Sequence, residues 1–231
     1  LSNLAILIFA RMDSTRLPGK ALADLGGRPL LGRVLDRVRR ASRCPRIVVA
    51  TSDRVLDDPI FNFANAEGVE IFRGDCADVA GRALACCDVL DLDHFVRISG
   101  DSPFIPPELI DQVIEAGKTA DADLVTNVHP RTWPAGASVE VIRINALRRA
   151  HPHMTAQEKE DVTVHFYSSP EVWRIVNVSA SDELFLGVRL TVDTAVELER
   201  ARAIVSRLGP EPEAASLYEV VALSRALVDA A

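Results

Sequence analysis

The sequence predicts an α/β fold, a mostly parallel mixed sheet covered by helices on both faces. Three observations carry that prediction. Short, continuously apolar runs recur through the first half of the chain, and segments with the apolar spacing of helices lie between them. Strands of this kind alternating with helices form βαβ units whose sheet is buried on both faces. After His129 the pattern loosens into stretches that alternate apolar and polar, which suits half-exposed strands and predicts an antiparallel excursion.

The elements follow in order. Apolar runs predict strands over 5–10, 46–51, 69–72, 95–99 and 124–127. Helical spacing predicts helices over 29–41, 58–67, 77–90 and 106–116. The last is the best signalled, with Pro106 and Pro107 near its start and Glu108 and Asp111 in its opening turns. The turn-rich "HPRTWPAGASVEVIR" leads into an alternating strand over 138–143. A helix over 155–167, a second alternating strand over 172–178 and a final strand over 188–192 come next. A helix over 195–208 follows, "GPEPEAAS" breaks the chain, and a helix over 217–228 closes it. No repeat, low-complexity tract or long linker divides the 231 residues, so a single domain over 1–231 is expected, with 128–180 as its excursion.

Composition narrows the function. At 48% hydrophobic residues with both charge signs well represented, the chain is globular. Its net charge of −7 argues against general nucleic-acid binding. No apolar run approaches the roughly 20 residues that span a bilayer, so no membrane role is expected. The first apolar run has no basic stretch before it and "RMDST" after it, so no secretory leader is expected. Cys44, Cys76, Cys86 and Cys87 form no C-x-x-C pair, which predicts reduced, mostly buried thiols in a cytoplasmic protein. Charge is uneven, however. Residues 11–43 hold nine Lys or Arg and three Asp, a local excess of +6 that leaves −13 elsewhere. Part of it is the polar face of the helix in "GRVLDRVRR". The loop "RMDSTRLPGK" is separate, setting Arg11, Arg16 and Lys20 just beyond the first strand.

In open parallel sheets ligands bind beyond the carboxyl ends of the strands. There the chain places three loop cations, "TSD" at Thr51 to Asp53, "GDSP" around Asp101, and Asp193. Two carboxylates drawn together from distant points of the chain repel unless a cation lies between them. Oxygen ligands of this kind suit Mg²⁺, which commonly takes one or two carboxylates plus substrate phosphates. A basic loop beside such a pair reads as a phosphate site, with Gly19 allowing close backbone approach and Pro18 stiffening the turn. Asp193 before "TAVELE" also fits a helix cap, Trp133 and Trp173 read as packing residues, and "HPH" at 151–153 has chelate spacing but no supporting partner.

Taken together, "ARMDSTRLPGKAL", "GGRPLL", "IVVATSD", "DDPI", "VEIFRG", "RISGDSPFIPPELID" and "RLTVDTAVELE" resemble the cytidylyltransferase family. The family includes the acylneuraminate and 3-deoxy-octulosonate activating enzymes, and the likeness is strongest to the spore coat polysaccharide biosynthesis type. The match runs from about Leu4 to Arg202, in order. It implies the nucleotide-diphospho-sugar transferase fold and transfer of CMP from CTP to a sugar or sugar acid, with pyrophosphate released, for surface polysaccharide synthesis. By resemblance, Ala10, Arg11, Arg16 and Lys20 hold the triphosphate, Ser99 and Gly100 lie near the nucleotide, and Thr51 and Asp53 near base or ribose. Asp101 and Asp193 would bind Mg²⁺ and, with Lys20, form the catalytic set. The excursion, with Asn127 and Glu140, would contact the sugar and supply the interface of a homodimer.

The departures fall in the acceptor half. Ala135 and Ser138 replace a basic residue and an aspartate, Asp161 stands where relatives often carry histidine, and His165-Phe166 replaces a proline-aromatic pair. The resemblance therefore names the nucleotide and leaves the acceptor open. Two other readings stay open: a glycosyltransferase of the same fold using a nucleotide-sugar, and a nucleotide-binding homologue without catalysis. The basic loop favours a triphosphate over a diphosphate, and retention of both aspartates favours catalysis.

Overall fold

A computed structural model describes residues 3–43 and 46–229. Seven strands form one sheet: β1 (Leu4–Phe9), β2 (Ile47–Ser52), β3 (Glu70–Gly74), β4 (His94–Ser99), β5 (Leu124–Thr126), β6 (Glu140–Arg143) and β7 (Ile175–Asn177). Their order is β3-β2-β1-β4-β6-β5-β7, parallel throughout except that β6 runs antiparallel to both its neighbours. The excursion is thus no appendage: it inserts β6 between β4 and β5 and carries β7 to the far edge.

The described residues form nine α-helices: α1 (Leu30–Val38), α2 (Asp58–Ala66), α3 (Val79–Val89), α4 (Pro107–Thr119), α5 (Ile144–Ala150), α6 (Ala156–Asp161), α7 (Val164–Ser168), α8 (Ala195–Leu208) and α9 (Leu217–Asp229). The period-two geometry of β1 explains its apolar run. Ile6 and Ile8 face the layer of α1, α2 and α4, whereas Ala5 and Leu7 face α3 and α5. A third cluster beyond the strand ends packs Leu25, Phe104, Leu190 and Val192 against α8 and α9. Within α1 the buried Arg37 donates to the carbonyls of Ile105 (3.0 Å), Glu213 (3.0 Å) and Ala215 (2.6 Å), tying that cluster to the first layer.

Three expectations change. Residues 188–192 are not a strand; they make one isolated bridge, Ala135 with Arg189, because Leu190 and Val192 bury against helices rather than in the sheet. The helix expected over 155–167 breaks into α6 and α7 at the buried Val162, whose φ of 64° no α-helix accommodates. Helix α5, which follows β6 without a loop, was not anticipated. Cys76, Cys86 and Cys87 are free thiols, and burial pushes Cys86 up to about 12; Cys44 lies outside the described residues. Among the described residues no helix is long and apolar enough to cross a membrane.

Candidate active site

Register explains why two loops meet. Phe9 pairs with Ser99 across β1 and β4, so both chains leave the sheet side by side. The amide of Gly100 donates to the Phe9 carbonyl (2.9 Å). A Cβ on Gly100 would lie 2.9 Å from that oxygen, so only glycine allows this approach.

The loop after β1 is braced at both ends. Gly19, at φ 76°, donates to the Met12 carbonyl (2.7 Å) and turns the chain so that Lys20 points inward. The fully buried Asp57, before α2, accepts from the Met12 amide (2.6 Å), the Ser52 hydroxyl and Arg54 (3.3 Å). Asp13, an acid among the loop cations, pairs with Arg54 (2.7 Å) and Arg11 (3.3 Å). The hydrogen bond from Arg54 holds its carboxyl below the usual range, against burial. It ties Arg11 of this loop to Arg54 beyond β2.

At the centre, Lys20 Nζ donates to Asp101 Oδ2 (2.9 Å) and Asp193 Oδ1 (2.8 Å). All three side chains are largely buried. Asp193 arrives because the Val192 amide donates to the Asp101 carbonyl (3.0 Å). Its own amide donates to Glu197 (2.8 Å), the partner of Thr194 in the capping box that starts α8. Arg16 (3.1 Å) and Arg189 (2.7 Å) reach Asp193 Oδ2. Burial pushes the Asp193 carboxyl up, but Lys20, Arg16 and Arg189 outweigh it and hold it below the ordinary carboxylate range.

Arg16, Lys20, Asp101 and Asp193 line a cleft of about 380 Å³. Ala10, Arg11, Arg16 and Lys20 of the loop after β1 and Ser99, Gly100, Asp101 and Asp193 all belong to its lining. Thr51, Asp53, Asn127 and Glu140 are not in its lining. Thr51 is buried in β2, and Asp53 is exposed beyond it. Asn127 spends its amide on the backbone, donating to the Ala137 carbonyl (2.6 Å) and accepting from the Val139 amide (2.8 Å). Glu140 is buried under Arg97 (2.6 Å) and the Tyr167 hydroxyl, and reaches the cleft only through Arg97.

The cleft also contains residues that sequence reasoning did not assign to it. Arg97 enters from β4, Arg82 from α3, and Glu160 and Asp161 from the end of α6. Glu160 pairs with Arg11 at 2.6 Å. Burial weakens the hold of Arg82 on its proton. Arg97 opens "RISGDSPFIPPELID" and Asp161 stands out as a departure from the family pattern, but no motif marked Arg82 or Glu160. Only the helical spacing of Arg82 with Val79, on the buried side of α3, carried a signal.

A two-carboxylate, one-lysine centre beneath a basic loop, at the carboxyl end of a mostly parallel sheet, belongs to a nucleotidyltransferase. The cytidylyltransferase family model matches residues 5–209. The spore coat polysaccharide biosynthesis protein SpsF of Bacillus subtilis (strain 168) is 30% identical over 232 residues, covering 97% of this chain and 95% of its own. A 3-deoxy-manno-octulosonate cytidylyltransferase of Hahella chejuensis is 40% identical over 116 residues, 49% of this chain and 44% of its own. The solved structure of a cytidylyltransferase from Leptospira borgpetersenii superposes with a TM-score of 0.91 at 26% identity, covering 98% of this chain and 95% of that one. The chain belongs to the cytidylyltransferase family.

Proposed function

We propose that this enzyme transfers CMP from CTP to a hydroxyl of a sugar or sugar acid and releases pyrophosphate, in the synthesis of a surface polysaccharide. The observation that carries the reading is Lys20 held between Asp101 and Asp193, carboxylates 92 positions apart in the chain, below Arg11 and Arg16. The printed names of the relatives support it: one is a polysaccharide biosynthesis protein, another a cytidylyltransferase of a sugar acid.

The residues fit a divalent cation. Two carboxylates within reach of one ammonium are within reach of one ion, and among the described residues no third acid, histidine or cysteine joins them. That donor set suits Mg²⁺, which completes its shell with phosphate oxygens and water. Asp101 and Asp193 would hold it, and when bound it would neutralise charge on the transferring phosphoryl group. The chain's own residues do the rest. Arg11 and Arg16 clamp phosphate oxygens through paired donors, and Lys20 adds a positive charge beside the α-phosphate. Acceptor oxygen and α-phosphorus form the new bond as the bond to pyrophosphate breaks, so catalysis is chiefly positioning and charge stabilisation. Residues 128–180 would supply acceptor contacts and the interface of a homodimer, within one domain.

Incubation with CTP, Mg²⁺ and a panel of sugar acids, following pyrophosphate, tests the reading. Acceptor-dependent release is expected, and Asp101→Asn should abolish it. A protein that releases none with any acceptor and does not bind CTP overturns the proposal.

A further inference from the structure

A second cavity, of about 260 Å³, shares no lining residue with the cleft. Three arginines line it and no acid does: Arg189 from the segment before Asp193, Arg200 from α8 and Arg225 from α9. Arg200 makes no hydrogen bond or ion pair among the described residues. Arg225 meets no carboxylate among them either. Its Nη2 donates to the carbonyls of Leu184 (2.7 Å) and Leu186 (3.4 Å), which leaves Nε and Nη1 without partners. Arg189 is balanced by acids, with Nε on Glu197 (2.6 Å) and Nη2 on Asp193 (2.7 Å), and it keeps Nη1.

That imbalance selects the ligand. Arg200 and Arg225 belong to the part of the chain that is acidic overall, so they are no extension of the basic 11–43 segment. Two guanidinium groups without counter-charges on one small cavity repel, and a single anion relieves both. The volume lies below the roughly 300–1,000 Å³ of drug-sized ligand sites and suits a small ion. Guanidinium forks match phosphate oxygens two at a time. Ser224, 3% exposed, adds a hydroxyl that donates or accepts. Leu186 and Val228, exposed apolar side chains, border the same space, where the organic part of a phosphate ester can rest.

We propose that this cavity binds a phosphate group, free or on a small ester, between Arg200, Arg225 and Arg189. Arg189 holds Asp193 as well, so the occupant sits one side chain away from the cleft. The two sites stay distinct.

Calorimetric titration at fixed ionic strength, with inorganic phosphate and with phenyl phosphate, tests it. The protein carrying Arg11→Gln and Arg16→Gln, stripped of phosphate donors in the cleft, should still bind. Adding Arg200→Gln or Arg225→Gln to it should weaken that binding by about 10-fold or more each, the effect of one charged hydrogen-bond donor. Tighter binding of phenyl phosphate assigns the apolar border to an ester, and equal affinity assigns the cavity to the free ion; both support the site. No binding once the cleft arginines are gone, or binding that neither Arg200→Gln nor Arg225→Gln changes, overturns it. Arg200 holds no bond in the fold, so Arg200→Gln alone should fold as the unaltered protein does. Should the cleft variant fail to fold, that single substitution decides: an unchanged phosphate isotherm overturns the site, and loss of a binding component supports it.

Discussion

Lys20 answers a problem that the chain sets for itself by placing Asp101 and Asp193 on the same side of one cleft. Each carboxylate alone could be solvated, but side by side and largely buried they need a positive charge between them. Lys20→Met keeps the stem and removes the ammonium. We expect CTP turnover to fall by about 100-fold or more, as when a preorganised charge-stabilising donor is deleted, measured as pyrophosphate release under saturating Mg²⁺. The same contact has a pH signature. The native Asp193 carboxyl lies below its unfolded value of about 3.9, so the unfolded state takes up its proton first as pH falls. Its contribution to stability is present above about pH 4 and is lost as pH drops through the native value. Lys20→Met should therefore flatten the acid side of the stability profile, read by denaturant unfolding between pH 3 and 6. An unchanged slope would show that Lys20 does not hold Asp193 low. At this scale the sequence disclosed the charged residues, because acids and bases at strand ends stand out against apolar runs. Arg82 was harder to read, since its spacing from Val79 in "DVAGRALACC" sets it on the buried side of α3 but does not tie it to the cleft.

Elements were legible where their own residues determine them. Helix α8 spans the predicted 195–208 because Thr194 and Glu197 cap its start and Gly209, at φ 82°, ends it. Residues 188–192 misled for the opposite reason: "VRLTV" has strand composition, but Leu190 and Val192 find their apolar partners under α8 and α9, a tertiary fact. The helix expected over 155–167 failed at Val162, buried at a φ that its own side chain disfavours, so packing overrode propensity. Sheet order was equally hidden, since nothing local to "EVIR" places β6 between β4 and β5. The α8 cap couples element to site, because Glu197 accepts from both the Asp193 and Thr194 amides. Thr194→Ala should cost about 1 kcal/mol of stability, the usual worth of a cap. It should also reduce turnover without abolishing it, because the Asp193 amide keeps Glu197. Chemical unfolding and pyrophosphate release on the same preparation check both halves.

Across the whole molecule, the cleft depends on a join far from its chemistry. Lys20, Asp101 and Asp193 come from three regions of the chain, and the third reaches the site only while α8 and α9 stay docked beyond the strand ends. Arg37 is a main fastening of that dock: at 1% exposure it sits on α1 and gathers carbonyls from 105 and from the 213–215 segment that leads into α9. Charge–carbonyl bonds of this sort are worth more than neutral ones, and each carbonyl left buried and unmet costs about 1–3 kcal/mol. Arg37→Met preserves bulk and deletes every donor, so we expect a loss of about 3–5 kcal/mol. For a chain of this length that lowers the midpoint of thermal unfolding by about 6–20 °C. Below that midpoint CTP should still bind, since Arg37 touches nothing in the cleft. Saturating CTP should then raise the midpoint of the variant, because a ligand that binds only the native state stabilises it in proportion to the logarithm of its excess over Kd. Thermal melts with and without CTP separate the two effects. A variant destabilised and no longer rescued by CTP would show that the α1–α9 dock shapes the cleft itself as well as securing Asp193 in it.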